Sequence, residues 1–347
     1  MLKQARRVTR TDVAARAGVS TATVSYVVND GPRSVAAGTR VRVLQAIEEL
    51  GYYPNELARS LRLNQTSTIG LVIPDLANPF YAELVRALEH LTFDKGYATI
   101  VCNSNRELLK EQQFAELLRA KQVDGVVFLP DSESIDAIFT LIGANIPVVV
   151  LERQDIPGLQ CVAIDDFLGG RMATEHLLQL GHRRIAFLRQ ATSHTTSQRR
   201  VEGYAAALQA AGLQPDPRLI ADCASSPGAG AAAASRLLGA CADVTAIIAH
   251  NDVIALGAMH ALHEAGLSIP ADISLVGYDN TAASAFYHPP LTTIQYPIEA
   301  VAAAAARKLF AMLEAGAEDQ VPLAANVELV PVSIVVRQST GPARATR

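Results

Sequence analysis

The sequence predicts a small all-α head joined to a two-lobed α/β body whose parallel sheets are covered by helices. Three observations lead there. Residues 10–50 carry helix-period apolar patterns with start and stop signals. From Ile69 onward, apolar runs of four to six residues alternate with amphipathic helices, as in a parallel sheet covered on both faces. These runs are too many for one comfortable sheet, so two similar lobes are expected.

In the head, Thr9 followed by Asp12 makes a capping-box variant that starts a helix from Arg10 to Arg16. Gly18 supplies a tight turn, and Ser20 caps a second helix ending near Val28, before Asn29, Asp30, Gly31 and Pro32. A third helix, Ala37 to Leu50, places Val41, Leu44, Ile47 and Leu50 on one stripe and is closed by Gly51. Ala36 offers this third helix no side-chain cap. A short fourth segment, Glu56 to Leu63, carries Arg59 and Arg62 around Leu61, and polar residues 64–68 follow as a linker.

In the body, strands are expected at Ile69–Ile73, Thr99–Cys102, Gly125–Leu129, Val148–Leu151, Val162–Ile164, Ile185–Leu188, Ala246–Ala249 and Ile273–Val276. Helices fill the gaps, for example at Tyr81–Lys95, Lys110–Lys121, Gly169–Leu180, Arg199–Ala211, Val253–Ala265 and Ile298–Glu314.

The charge is unevenly spread. Residues 1–64 hold 10 Lys and Arg against 5 Asp and Glu, or +5; the whole chain carries −4, so the remainder carries −9. A basic head on an acidic body suits a module that meets polyphosphate while the rest avoids it. Early arginines interrupt any signal-peptide core, and no stretch is long and apolar enough to span a bilayer, so a cytoplasmic location without membrane contact is expected. Cys102, Cys161, Cys223 and Cys241 form no CxxC pair and read as reduced core residues. No HExxH, GxSxG or GxxxxGK motif occurs, which speaks against an enzyme and against a bound metal or cofactor.

The stretch Asp12 to Ser25 reads as a helix-turn-helix with a miniature core of Val13, Ala14, Ala17, Val19, Val24 and Val27. The exposed start of its second helix offers Thr21, Ala22, Ser25 and Tyr26 to base edges in a DNA major groove. Thr9, Ser20, Thr23 and Asn29 join them as candidate DNA contacts.

In these residues and several further runs, the chain resembles the lactose-repressor (LacI/GalR) family of bacterial regulators along nearly its whole length. The matching runs are Asp12 to Asn29, Gly51 to Leu61, Ile69 to Phe80, Gly181-His182-Arg183, Asn251-Asp252, Val276 to Asn280 and Pro290 to Ile294. The resemblance implies a helix-turn-helix head (1–53), a hinge helix and linker (54–67), and a periplasmic-binding-protein-like domain of two lobes that binds effector and dimerises (68–340). Residues 341–347 are expected to be a short tail. It further implies that Leu61 wedges into the minor groove of a pseudopalindromic double-stranded operator, with Arg59 and Arg62 on phosphates and Asn55 and Ala58 beside them. Tyr26 stands where many relatives have an arginine, which leaves the half-site sequence open.

The resemblance places a small-molecule effector, a sugar or sugar derivative, between the lobes at Arg200, Asn251 and Asp279, with Asn78, Phe80, Glu152, Asp165, His194 and Thr196 as further candidates. Asp279 can accept from hydroxyls and Arg200 can donate a planar fork. Against this, Asp279 also reads as a loop cap, Arg200 as a surface ion pair and His194 as a solvated loop residue; Asp252 reads as the cap of the helix at Val253. The tail lacks a heptad repeat, so a homodimer is expected, repressing transcription under effector control. A protein corepressor or a purine-type ligand is the alternative.

Overall fold

A computed structural model describes residues 8–28, 34–53, 65–131, 134–153, 158–191, 195–315 and 326–344. The chain forms two compact units, Met1–Thr66 and Ser67–Arg347.

The first unit holds helices α1 (Arg10–Ala17), α2 (Thr21–Val28) and α3 (Ala37–Leu50). Thr9 and Asp12 close a reciprocal capping box on α1, and Gly18 ends it at φ 65, a left-handed conformation that glycine adopts without a Cβ clash. Val13, Ala14, Ala17, Val24 and Val27 pack with Val43 and Ala46 as the core. The expected α3 stripe is therefore corrected. Val43 and Ala46 face inward with Ile47 and Leu50 beside them, while Val41 and Leu44 are 57% and 49% exposed. Both readings follow a helical period, and the packing of α1 and α2 selects between them. Ala36 indeed makes no side-chain cap.

The second unit contains two six-stranded sheets. The N-lobe sheet begins with β1 (Thr68–Ile73), β2 (Ala98–Asn103), β3 (Gly125–Phe128), β4 (Val148–Leu151) and β5 (Gln160–Ile164). The C-lobe sheet begins with β6 (Ile185–Gln190), β7 (Ile220–Cys223), β8 (Ala246–Ala249), β9 (Ser274–Asp279) and β10 (Thr292–Gln295). The chain then returns to the N-lobe as β11 (Asn326–Val330) and ends in the C-lobe as β12 (Ser333–Val335). The spatial orders are β2-β1-β3-β4-β5-β11 and β7-β6-β8-β9-β10-β12; every pairing is parallel except β10 with β12. The strands β3, β4, β5, β8 and β9 are buried throughout, as continuous apolar runs between helical layers should be.

Helices α4 (Pro79–Asp94), α5 (Leu108–Lys121) and α6 (Asp136–Ile142) cover the N-lobe, joined by α11 (Ile298–Ala315), which packs on α4 and on β3, β4, β5 and β11. The C-lobe carries α7 (Asp166–Gln179), α8 (Thr195–Ala210), α9 (Pro227–Ala240) and α10 (Asp252–Glu264). The chain thus passes between the lobes three times, after β5, after β10 and after β11.

Four strands and two helices are not singled out by the sequence: β7, β10, β11, β12, α6 and α9. The end of the chain also differs from a free tail, since Gly341 to Arg344 lie against the C-lobe. Buried His182 bridges the Thr245 hydroxyl through Nδ1 (2.9 Å) and the Gly341 carbonyl through Nε2 (3.0 Å), and the Ala343 amide donates to the Leu180 carbonyl (2.9 Å). The four cysteines are buried and joined by no disulfide, and burial raises the Cys102 and Cys223 thiols to about 11, which keeps them unreactive near neutral pH.

Candidate DNA interface and effector cleft

In the first unit, Ser20, Thr21 and Ala22 are exposed at the start of α2, and Thr23, Ser25 and Tyr26 are half-buried beside them. Ser20 caps the helix by accepting from the Thr23 amide (3.1 Å). Thr9 is exposed, but its hydroxyl is engaged with Asp12 (2.6 Å). Small polar side chains around a helix start, where backbone amides lack intrahelical partners, suit a phosphate-lined groove. Asn29, Asn55, Ala58, Arg59, Leu61 and Arg62 lie outside the described residues, as does His194 of the effector set.

In the second unit, a cleft of about 570 Å³, open solvent included, lies between the lobes. Of the expected residues, Asn78, Phe80, Glu152, Thr196, Arg200, Asn251 and Asp279 line it. Pro74, Tyr81, Leu129, Pro130, Asp131, Gln190 and His250 complete the wall and were not anticipated. Most of these follow the C-terminal ends of strands β1, β3, β6 and β8, which is the one rule that points to them from sequence.

Asp165 is a correction. It precedes the first turn of α7 and caps it, accepting from the Leu168 amide (3.0 Å), and it does not line the cleft. Its neighbour Asp166, one residue into the helix, instead turns inward to Arg200. Asp252 is a second correction: Asn251 is the cap of α10, accepting from the Ile254 amide (2.9 Å). Asp252 accepts from the Thr281 amide (2.8 Å) and the Thr293 hydroxyl (2.7 Å), and so fastens the loop after β9.

Arg200 is no surface ion pair. Its Nε donates to Asp166 (2.7 Å), its Nη1 to the His250 carbonyl (2.7 Å), and its guanidinium stacks 3.5 Å from the centre of the Tyr278 ring. Burial, the largest single influence, would lower its pKa, but Asp166, Tyr278 and Asp279 together outweigh it and leave the pKa raised and the guanidinium charged. Asn251 likewise arrives engaged, its amide nitrogen donating to the Ser225 hydroxyl (2.7 Å).

Asp279 differs from both. It is 5% exposed, ends β9 in a positive-φ conformation (109°), and its carboxylate accepts no hydrogen bond from another described residue. Burial pushes its pKa well up, with the Asp252 carboxylate adding to the shift and Arg200 opposing it. Glu152, across the cleft, receives the Tyr296 hydroxyl. Its carboxyl is lifted to about 7, first by burial and then by Asp166. Phe80 supplies an aromatic wall, set edge-on to Tyr81 (5.0 Å) and Tyr296 (4.7 Å). The cleft therefore combines aromatic faces with hydrogen-bonding groups, as small-molecule sites do. Among the described residues no helix is long and apolar enough to cross a membrane.

Comparison with known proteins agrees with this architecture. Residues 9–55 match the model for bacterial regulatory proteins of the lacI family, and residues 66–328 match that for periplasmic binding proteins and the sugar-binding domain of the LacI family. The chain is 37% identical over 325 residues to the HTH-type transcriptional repressor PurR of Pasteurella multocida, covering 92% of this chain and 96% of the relative. Among solved structures it resembles the Lac repressor dimer bound to operator and the anti-inducer ONPF, with a TM-score of 0.86, 32% identity and coverage of 97% and 100%. It also resembles the transcriptional regulator CelR in complex with cellobiose, with a TM-score of 0.72, 30% identity and coverage of 96% and 100%. With both family models matched in order across nearly the whole chain, this protein belongs to the lacI family of bacterial transcriptional regulators and is not an enzyme.

Proposed function

We propose that this protein is a cytoplasmic, homodimeric transcriptional repressor whose affinity for a pseudopalindromic operator is set by an uncharged carbohydrate bound between the lobes. The observation that carries the ligand half is Asp279, a buried carboxylate at the cleft that accepts no hydrogen bond from another described residue, across from Phe80 and Tyr81. Hydroxyls can donate to Asp279 and Glu152, and a sugar ring can lie on the aromatic faces. The DNA half rests on the exposed start of α2, with Thr21, Ala22, Ser25 and Tyr26 meeting base edges. Thr9, Ser20, Thr23 and Asn29 assist there, and Asn55, Ala58, Arg59, Leu61 and Arg62 act in the minor groove. Exposed Phe93, Val101, Leu109 and Leu117, on and around edge strand β2, support a second copy docking at that edge.

A purine ligand is the second reading, favoured by the identity with PurR repressors. Selection of bound genomic fragments, with and without a panel of sugars and nucleobases at fixed salt, tests both. A pseudopalindrome whose occupancy one sugar changes supports the proposal. A response to nucleobases alone replaces the ligand, and salt-sensitive binding without sequence preference overturns the operator claim.

A further inference from the structure

The first turn of α4 lines the cleft with Phe80 and Tyr81. Less than one turn beyond Tyr81, half-buried Glu83 reaches across to the other lobe, and its Oε1 accepts a hydrogen bond from the Ala282 amide at 2.9 Å. Ala282 opens the short 3-10 turn Ala282–Phe286, three residues after Asp279. That loop is fastened to its own lobe from two sides. Asp252 holds the Thr281 amide (2.8 Å) and hydroxyl (3.1 Å), and Arg337 donates to Asn280 Oδ1 (2.6 Å) and to the Ser284 hydroxyl (3.3 Å).

The loop therefore moves with the C-lobe as one piece, and Asp279 moves with it. Glu83 ties this piece to the helix that supplies the facing aromatic wall. We infer that Glu83 is a positioning residue, a clasp that sets the lobe angle at which Asp279 and the Phe80–Tyr81 wall confront a ligand. A carboxylate and a peptide N–H at the cleft mouth both rehydrate when parted, so the clasp is reversible. Its loss is worth about three- to tenfold in the closed-to-open ratio. The inference rests on the effector reading for what the closed angle serves, but closure itself is measurable without any effector.

The experiment labels the full-length protein at Lys121→Cys on α5 and Gln209→Cys on α8, both exposed positions on different lobes, and reads the inter-lobe distance distribution by single-molecule energy transfer without ligand. The four native cysteines are buried and leave the labels specific under native conditions. Glu83→Ala is expected to shift the closed-to-open ratio three- to tenfold toward open. Glu83→Gln keeps an acceptor oxygen on the same stem and is expected to stay within about twofold of the parent. An unchanged distribution in Glu83→Ala overturns the clasp, as does Glu83→Gln opening as far as alanine. A protein indifferent to every sugar and purine would instead sink the effector reading and leave this result standing.

Discussion

The two lobes share a topology but meet the cleft differently. On the C-lobe side, two of the polar groups arrive already committed, Arg200 to Asp166 and the His250 carbonyl and Asn251 to Ile254 and Ser225, while Asp279 is left open among the described residues. The N-lobe side supplies mostly faces and edges, with Pro74, Phe80, Tyr81, Leu129 and Pro130. The helices behind these walls differ in the same sense. In the C-lobe, α7 crosses α8 and α9 crosses α10 at backbone contact. A Cβ on Gly203 would stand 2.0 Å from the Phe167 carbonyl oxygen, and one on Gly230 2.5 Å from that of Ile254. In the N-lobe, a Cβ on Gly70 would meet side chains rather than backbone, Leu118 at 2.7 Å and Val126 at 3.2 Å. The C-lobe is thus a rigid, pre-organised polar platform, and the N-lobe a more adaptable apolar wall.

The largest expected effect comes from breaking the platform's buried pair. Asp166→Ala leaves Arg200 charged and nearly enclosed, with the two side chains 6% and 2% exposed in the parent, and should cost about 3–5 kcal/mol. The N-lobe counterpart, Arg106 with Asp131, is 23% and 13% exposed, so Asp131→Ala should cost only about 1–2 kcal/mol. Urea unfolding of both variants at neutral pH makes the comparison, and equal losses would break it. Glycine substitution ranks next. Gly203→Ala must pry two helix backbones apart and should cost about 2–3 kcal/mol, whereas Gly70→Ala, against a movable leucine, should cost about 1 kcal/mol. Thermal melts that reverse this order would show that the C-lobe crossing relaxes more easily than its geometry suggests.

Smaller effects appear in the pH dependence, and they run in opposite directions. Glu152, in the N-lobe, is raised from 4.5 to about 7, so the folded protein keeps a proton that the unfolded chain has released. The stability this proton contributes at low pH is lost as pH rises through about 7, and Glu152→Gln should flatten the stability profile between 4.5 and 7. In the C-lobe, burial lowers His182 below 6.5. Its contribution is therefore present above 6.5 and lost as pH falls below that value, where the unfolded chain protonates first. Denaturation midpoints of His182→Gln should fall less steeply on the acid side than those of the parent. A steeper fall would mean that the histidine is charged in its pocket.

The elements absent from the sequence reading share a cause. Helix α9, Pro227 to Ala240, is built mostly of glycine and alanine, and at Gly230, where it meets α10, a Cβ would stand 2.5 Å from the Ile254 carbonyl oxygen. Strand β7 sits at a sheet edge and alternates weakly, β10 is mostly polar, and β11 and β12 are short. Such segments are strands because neighbours pair with them, and a single sequence does not reveal the neighbours. The adjacent acids Asp165 and Asp166 make the same point for the site. One residue of helix phase separates a cap from the partner of Arg200, 34 positions away.

From the sequence alone came the helical head with its caps and small core, the alternation of strands and helices, the division into lobes, and seven of the cleft residues. These follow from local periodicity, capping chemistry and family motifs, each written within a short stretch of chain. Only the tertiary structure decided that Val43 and Ala46, not Val41 and Leu44, face the head's core, and that Asp166 neutralises Arg200. It also decided that the Asp279 carboxylate accepts no hydrogen bond from another described residue and that the chain's last described residues strap the C-lobe. These depend on contacts between distant segments, where packing and burial select one of several faces or partners that the local pattern allows equally.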